Sequence, residues 1–200
     1  MSFNNKSRLL DELELFRGQD EYLSDGLRHH FLEHFFPENV TELVSGLSNV
    51  VSAFYGFLLR DIGNLIGKDK IASFSENLFY ALGKFKAEQA LETMFDIPRD
   101  TRAFVIVGIY AVYTASPEYS FSIEKYTENH TIFRVHGIDR YHKIGLKLGI
   151  SEDLTWPASL PFMKAVNDVL GLNSEIDIEL SPYDADSKCS ITYHFLSKDS

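Results

Sequence analysis

The segment from Arg28 to Phe36, RHHFLEHFF, carries His30, Glu33 and His34 in the order H-x-x-E-H. One class of zinc peptidases uses that order, with the two histidines as metal ligands and the glutamate as general base. Residues four apart on a helix lie on one face, so both imidazoles are able to reach one ion. The spacing therefore makes a zinc site the first hypothesis.

The helical phase of this segment argues against zinc. At about 100° per residue, both histidines fall inside the apolar stripe of the predicted helix. Pro37 ends that helix three residues after His34, because proline lacks the N–H that would continue it. No downstream acidic motif supplies a third ligand. We therefore interpret the segment as an amphipathic helix whose His30 and His34 face the core or a pocket, to contact a ligand or sense pH.

Cys189 is the only cysteine, which excludes an internal disulfide and a four-cysteine zinc site. His194 lies five residues later on a predicted strand and faces the opposite side, so the two are a poor metal pair. A buried thiol is the favoured interpretation of Cys189. A thiol nucleophile would need a neighbouring base, and a hydrolase hypothesis would draw on Cys189, His136, His142 and His194.

A polar and aromatic cluster follows the first predicted hairpin and comprises Arg134, His136, Arg140, Tyr141 and His142. Its several hydrogen-bond donors suit a carboxylate or another anionic group. The alternative is a solvated loop. The sequence has no glycine-rich phosphate loop and no G-x-S-x-G motif.

Composition excludes several functions. The chain has 200 residues, of which 44% are apolar, and 29 acidic against 19 basic residues give a net charge of −10. That charge argues against non-specific nucleic-acid binding and against docking on anionic lipid. The longest purely apolar run has 11 residues, too short to span a bilayer. With no secretory signal recognised at the N-terminus, we expect a cytoplasmic protein without membrane insertion.

The order of predicted elements indicates an α+β fold. The first half has helical periodicity, and a helix is favoured over a buried strand for TRAFVIVGIYAVYTAS. The second half alternates in two hairpins, the first turning around Glu128 and Asn129, with an intervening helix that ends at Gly171. We predict one domain over 1–200, with helices packed on an antiparallel sheet, an N-terminal helical extension over 1–40 and a ligand-binding-like core over 41–197.

The aromatic content, 16 Phe, 10 Tyr and one Trp, is the most informative feature. A pocket lined by such rings with a few polar tips would suit a flat apolar ligand, and the alternative is ordinary core packing. The predicted ligand-binding residues are Phe54, Phe79, Tyr80, Tyr110, Tyr113, His136, Arg140 and Trp156.

Two stretches resemble a known superfamily. ASLPFMKAVNDVLGLNSEIDIEL followed by CSITYHFLS is similar to its helix–hairpin ending, and NLFYALGKFKAEQAL to its core helix. The superfamily contains the 4-vinyl reductase-type domains, the haem nitric-oxide-binding domains and the small TRAPP trafficking subunits. The resemblance implies helices followed by hairpin, helix and hairpin, an enclosed hydrophobic small molecule or acyl chain, and dimerisation through helices.

The motifs of individual branches are missing. The haem members carry a histidine on the helix before the first hairpin and a Tyr-x-Ser-x-Arg motif, and this sequence has neither. The vinyl reductase-type domains often carry cysteines suited to zinc, where this chain has only Cys189. We therefore expect no haem ligation of that type, and leave the cofactor as an unidentified hydrophobic ligand.

These observations lead to one functional prediction and two alternatives. The prediction is a non-catalytic binding or sensor domain for a hydrophobic, aromatic, acyl or tetrapyrrole-like molecule. One alternative is a small-molecule hydrolase resembling the aminothiazoline carboxylic acid hydrolases. The other is a dimeric interaction module like the TRAPP subunits. In each case we expect a homodimer, with the helix over 43–66 as its face.

Overall fold

The computed structural model describes residues 9, 11–13, 15, 20–94, 96–116 and 118–198, without the side chains of residues 113–115. The chain folds as two compact units, Met1–Leu47 and Ser48–Ser200. Helix α2, Val40–Ile66, begins in the first unit and continues into the second.

In the first unit, the described residues between 9 and 15 are helical and helix α1 spans Asp25–His34. Ser24 begins α1 because its Oγ accepts a hydrogen bond from the Leu27 backbone N–H at 3.2 Å. Asn39 has the same role at the start of α2, where its Oδ1 accepts from the Glu42 N–H at 3.0 Å. Capping side chains thus fix where both helices begin.

The structure corrects the prediction for the two histidines of α1. Helix α1 has no buried residue, and His30 and His34 are both exposed, with ring centroids 4.5 Å apart. The expectation that they face the core or a pocket is wrong. Their phase relative to the apolar residues is as predicted, but those residues, including Phe31 and Phe35, are themselves exposed.

The second unit begins with long helices. After α2, a single 3₁₀ turn at Lys68–Lys70 leads into α3, Ile71–Thr93, and α4 spans Arg102–Ala115. The structure thus confirms a helix for the apolar segment that periodicity alone did not separate from a strand. Gly83 lets α3 approach the later helix closely, because a Cβ there would lie 2.8 Å from Phe162 Cα.

The four strands form one antiparallel sheet in the order β1-β2-β4-β3. They span Tyr119–Tyr126, His130–Ile138, Ser174–Leu180 and Lys188–Ser197. Residues 127–129 form the first turn, as predicted. The two hairpins join through β2 and β4, where Phe133 pairs with Tyr193. This arrangement confirms the α+β prediction.

Two helices connect the hairpins. Helix α5 spans Arg140–Leu148, and after a 3₁₀ turn at Ser151–Asp153, helix α6 spans Leu160–Leu170. Gly149 and Gly171 end α5 and α6 at φ of 68° and 64°, a left-handed conformation that glycine adopts without a steric penalty. The C-cap predicted at Gly171 is confirmed.

The main core of the second unit lies between its helices and one face of the sheet. Alternation along β2 and β4 buries every second side chain on that inner face and leaves a polar outer face. Phe104 of α4 stacks on Phe195 of β4 with ring centroids 4.0 Å apart, and both rings are fully buried. This packing fixes α4 over the centre of the sheet.

Within the described residues, α2 is the one helix whose length and composition would allow it to cross a membrane. Only 28% of its most apolar window is buried. Core helices of soluble proteins have the same length and composition. Most of the apolar window of α2 is thus exposed in the single chain.

Candidate functional site

A cavity of about 110 Å³ lies in the second unit, between the helices and the inner face of the sheet. Helices α3, α4 and α6 and strands β2 and β4 each contribute to its wall. Most of that wall is apolar, and its larger side chains are Phe79, Val112, Phe133, Phe162, Met163 and Ile191. The cavity therefore favours an apolar molecule over a cluster of waters.

The rest of the wall is polar, and most of it comes from residues at the ends of helices and strands. Tyr119 begins β1, Asp139 follows β2, Tyr141 lies in the first turn of α5, and Ser159 precedes α6. Tyr193 reaches the same region from the inner face of β4, and Ser116 from the end of α4. An apolar chamber with a few convergent polar groups is typical of small-molecule sites.

Asp139 is the only acid among the described residues of the cavity wall, and it has a structural role. Its Oδ1 accepts hydrogen bonds from the backbone N–H groups of Tyr141 and His142 at 2.9 and 3.0 Å, which caps α5. Its Oδ2 accepts from the Tyr183 hydroxyl at 3.0 Å. Burial raises the pKa of the Asp139 carboxyl, and these hydrogen bonds partly offset the effect.

The tyrosine hydroxyls on the wall differ in their partners. Tyr193 and Ser159 hydrogen-bond to each other. In the part of the chain that the structure describes, no hydrogen bond engages the hydroxyl of Tyr119 or Tyr141. Burial raises the pKa of Tyr119, Tyr141 and Tyr193, and Asp139 adds to the rise at each. Arg140 opposes the rise at Tyr141, and the hydrogen bond with Ser159 opposes it at Tyr193. All three hydroxyls therefore stay protonated at neutral pH.

An apolar groove of about 370 Å³ adjoins the cavity on the side of α2. Its walls are formed mainly by residues of α2 and α3, and it shares Phe79, Leu82 and Tyr141 with the cavity. Tyr55, Phe79 and Tyr141 pack edge to face at its base, with ring centroids 5.0 to 5.7 Å apart. The cavity and the groove are therefore neighbours that share part of one wall.

The structure distributes the predicted aromatic residues over several places. Phe79 lines both spaces, and Phe54 lines only the groove. Tyr80 is on the surface, where its hydroxyl donates to Asp168 Oδ2 at 2.7 Å. The Lys86 ammonium lies 4.9 Å from the centroid of the Tyr110 ring, and Tyr110 lines neither the cavity nor the groove. The side chain of Tyr113 lies outside the described residues.

The predicted polar residues do not come together. His136 is exposed on the outer face of the sheet. Trp156 packs against His142 and donates from Nε1 to the Ser151 carbonyl at 3.1 Å. Arg134, also on the outer face, pairs with Glu124 at 2.7 Å. Of the five residues proposed to bind an anion, only Tyr141 lines the cavity.

Arg140 is buried and forms an ion pair with Glu118. Its Nε and Nη1 atoms have no hydrogen-bond partner among the described residues. Burial lowers the pKa of the guanidinium. Arg140 does not line the cavity, although its sequence neighbours Asp139 and Tyr141 do. Its guanidinium is therefore paired with Glu118 away from the lining, and its charge acts on the wall through Tyr141, whose pKa it lowers against the effect of burial.

The residues of the hydrolase hypothesis are separated as well. Cys189 is buried, and burial raises the pKa of its thiol to about 11, opposite to the shift that activates a nucleophile. His194 lies on the outer face of the sheet, 3.5 Å from Glu179. His142 Nδ1 contacts the fully buried Ser187 hydroxyl at 3.0 Å. Among the described residues, no three His, Cys, Asp or Glu side chains form a metal-binding group.

Sequence reasoning did not single out Tyr119, Asp139, Ser159 or Tyr193. Two of them carry a usable signal. Asp139 precedes the first helical residue Arg140, the position at which an aspartate caps a helix. Tyr193 alternates with Ile191 and Phe195 on a predicted strand, which puts it on the core face. Ser159 and Tyr119 carry no comparable signal.

The chain matches no family model, no curated protein and no solved structure. Its function is therefore inferred from the cavity, the groove and their residues.

Proposed function

We propose that this protein binds a small hydrophobic molecule in the cavity of its second unit and does no chemistry on it. The observation that supports this proposal is an apolar cavity of about 110 Å³ whose polar groups converge at one end. An apolar cavity of this kind stays dry and accepts small apolar molecules. Its volume favours a single ring or a short chain over a tetrapyrrole.

The arrangement of potential catalytic groups supports binding without catalysis. General acid–base or nucleophilic chemistry needs a base within hydrogen-bond reach of the reacting group. The cavity wall carries hydroxyls and one carboxyl that already caps a helix and accepts from Tyr183. The Cys189 thiol is buried and keeps its proton. We therefore favour a binding or sensor domain over a hydrolase.

The proposed superfamily relationship agrees in part with the order of elements. Long helices precede a hairpin, two helices and a second hairpin, which differs from the order expected for the superfamily named above by one additional helix between the hairpins. Fold likeness alone does not establish function. It supports the proposal here only because the cavity lies between the helices and the sheet.

Ligand retention is the experiment that tests the binding proposal. Native mass spectrometry of the purified chain, followed by denaturing extraction, detects a molecule carried through purification. A bound ligand at 100 times its dissociation constant stabilises the fold by about 2.7 kcal/mol, which raises Tm by about 5–10 °C for a chain of this length. No retained molecule, together with no thermal shift from any small aromatic or short-chain compound, would refute the proposal.

A second proposed function, dimerisation, rests on an exposed apolar face formed by α2 and α3. The face is made of large side chains that are each at least 39% exposed. Together they expose on the order of 900 Å², more than the 300–600 Å² patch of a typical monomer. These residues are Val50, Val51, Phe54, Phe57, Leu58 and Leu65 of α2, and Phe74, Leu78, Leu82 and Phe85 of α3.

We propose a second copy of this chain as the occupant of that face. The area matches the roughly 800 Å² that each partner buries in a stable protein–protein interface. The ten residues that define the face are all apolar, which suits the interface of a homodimer. The net charge of −10 disfavours anionic lipid as the occupant. A dimer would also cover the groove that adjoins the cavity.

Size-exclusion chromatography with light scattering tests the dimer. We expect the unmodified chain to have twice its monomer mass and Phe54→Asp to have the monomer mass. Leu146→Asp is the matched control, because Leu146 is an exposed leucine of α5 outside the face. A monomer at all concentrations, a dimer unaffected by Phe54→Asp, or recovery of the chain with neutral phospholipid vesicles would each contradict the proposal.

A further inference from the structure

The polar end of the cavity carries two tyrosine hydroxyls without a hydrogen-bond partner among the described residues. Tyr119 and Tyr141 both line the cavity, and neither hydroxyl hydrogen-bonds another described residue. Neither oxygen is one of the fully buried atoms without a partner, so each remains accessible from the space that it lines. Native proteins pair such groups with protein, water or ligand. Each of the two hydroxyls is therefore available to donate a hydrogen bond to a molecule in the cavity.

Two other hydroxyls of the wall and the Asp139 carboxyl are already engaged. The Ser159 and Tyr193 hydroxyls bond to each other, and Tyr183 donates to Asp139. The Tyr193 hydroxyl is therefore occupied by Ser159, whereas the Tyr119 and Tyr141 hydroxyls are able to donate a hydrogen bond to a ligand. Each keeps its proton at neutral pH, because burial raises its pKa; Asp139 adds to the rise at both residues, and Arg140 opposes it at Tyr141. A protonated hydroxyl is able to donate to a ligand oxygen.

The charge of the wall limits the ligand further. Asp139 is the only ionisable acid among the described lining residues, and these include no lysine, arginine or histidine. The nearest cation along the chain, Arg140, is paired with Glu118. A ligand carboxylate would enter a low-dielectric space beside a carboxyl group with no compensating cation, which is costly.

We propose that the cavity selects a ligand with an apolar ring or short chain and one uncharged oxygen head, an alcohol or a ketone, and that it excludes carboxylates. The head accepts hydrogen bonds from the Tyr119 and Tyr141 hydroxyls, while the apolar part contacts Phe133, Phe162 and Met163. This inference rests on the proposed binding function. It differs from the sequence-based expectation of an anionic ligand held by Arg140, because Arg140 does not line the cavity.

Three compounds that share one ring test the inference by calorimetric titration of the full chain. They are toluene, benzyl alcohol and benzoate. A neutral hydrogen bond is worth about 0.5–1.5 kcal/mol, so with two of them we expect benzyl alcohol to bind about 5- to 160-fold more tightly than toluene. We expect benzoate to bind at least 100-fold more weakly than benzyl alcohol.

Variants identify the hydroxyls responsible. The double variant Tyr119→Phe, Tyr141→Phe keeps both rings and is expected to abolish the preference for benzyl alcohol while leaving toluene binding within about twofold. Tyr80→Phe is the matched control, since it removes a hydroxyl that bonds Asp168 outside the cavity. It should change neither affinity.

The outcomes separate the two proposals. Toluene binding as tightly as benzyl alcohol, or benzoate binding as tightly as either, overturns the selection of an uncharged oxygen head and leaves the binding function standing. A preference for the alcohol that survives in the double variant also overturns the inference. If none of the three compounds binds the unmodified chain, both the binding function and the head-group inference fail.

Discussion

Replacing Ala158 with leucine should fill the cavity without destabilising the fold. Ala158 is buried and lines the cavity just before α6. About 110 Å³ of space adjoins Ala158. Leucine adds three carbon atoms, whose burial is worth about 2.4 kcal/mol at about 0.8 kcal/mol each. This value is the upper limit of the available gain.

Strain reduces that gain. Inserting methylene groups into a packed core costs about 1–3 kcal/mol. We therefore expect Ala158→Leu to leave the free energy of unfolding unchanged or to raise it by up to about 1.5 kcal/mol. Ala165→Leu is the matched control, because Ala165 is fully buried on α6 and does not line the cavity. It should lower the free energy of unfolding by about 1–3 kcal/mol.

Urea unfolding of both variants and the unmodified chain gives the comparison directly. Ala158→Leu should also lose the thermal shift caused by benzyl alcohol, because the added side chain takes the space of the ring. Equal destabilisation by the two leucines would show that the region around Ala158 is filled in solution. That result would refute the cavity on which the proposed function depends.

Three further predictions concern the scaffold that holds the cavity. Gly83→Ala should destabilise the fold by more than about 2 kcal/mol in urea unfolding, since its Cβ would meet the Phe162 backbone. Gly46→Ala is the control, because a Cβ there would have no other atom within 4 Å. It should stabilise the fold by up to about 1 kcal/mol. Phe104→Ala should cost about 3–5 kcal/mol by the same assay, because Phe104 is fully buried on the stacked ring of Phe195; a cost below about 1 kcal/mol would contradict this packing. Burial lowers the pKa of His142 below its unfolded value of about 6.5, against a smaller opposing effect of Asp139. The unfolded state therefore binds more protons as the pH falls below about 6.5, and stability declines there. His142→Phe should flatten the dependence of the urea midpoint on pH between about 7.5 and 5, and parallel curves for the variant and the unmodified chain would refute this.

Local patterns predicted much of the fold. Alternation and a polar turn predicted the first hairpin, and the structure has its turn at residues 127–129 between β1 and β2. Gly171 was predicted as the C-cap of α6 and adopts the left-handed conformation that the cap needs. Each of these signals depends on residues that are neighbours in the sequence. They are therefore readable without knowledge of the tertiary structure.

The candidate site could not be predicted in the same way. Tyr119, Asp139, Ser159 and Tyr193 come from four different parts of the chain, and only the packing of helices on the sheet brings them to one cavity. Aromatic content predicted a pocket, but of the predicted aromatic ligand-binding residues that the structure describes, only Phe79 lines the cavity. Periodicity shows which side of a helix is apolar and not what packs against it. For the same reason, the phase of His30 and His34 on α1 was predicted, whereas their exposure was not.

The most direct test of the central claim is a methyl NMR titration of the unmodified chain with benzyl alcohol. Met163 and Ile191 have methyl groups on the cavity wall, while Leu146 is an exposed reference on α5. The claim predicts saturable shifts of the Met163 and Ile191 methyl signals with one dissociation constant, and a stationary Leu146 signal. Unchanged Met163 and Ile191 signals up to the solubility limit of the alcohol would contradict it.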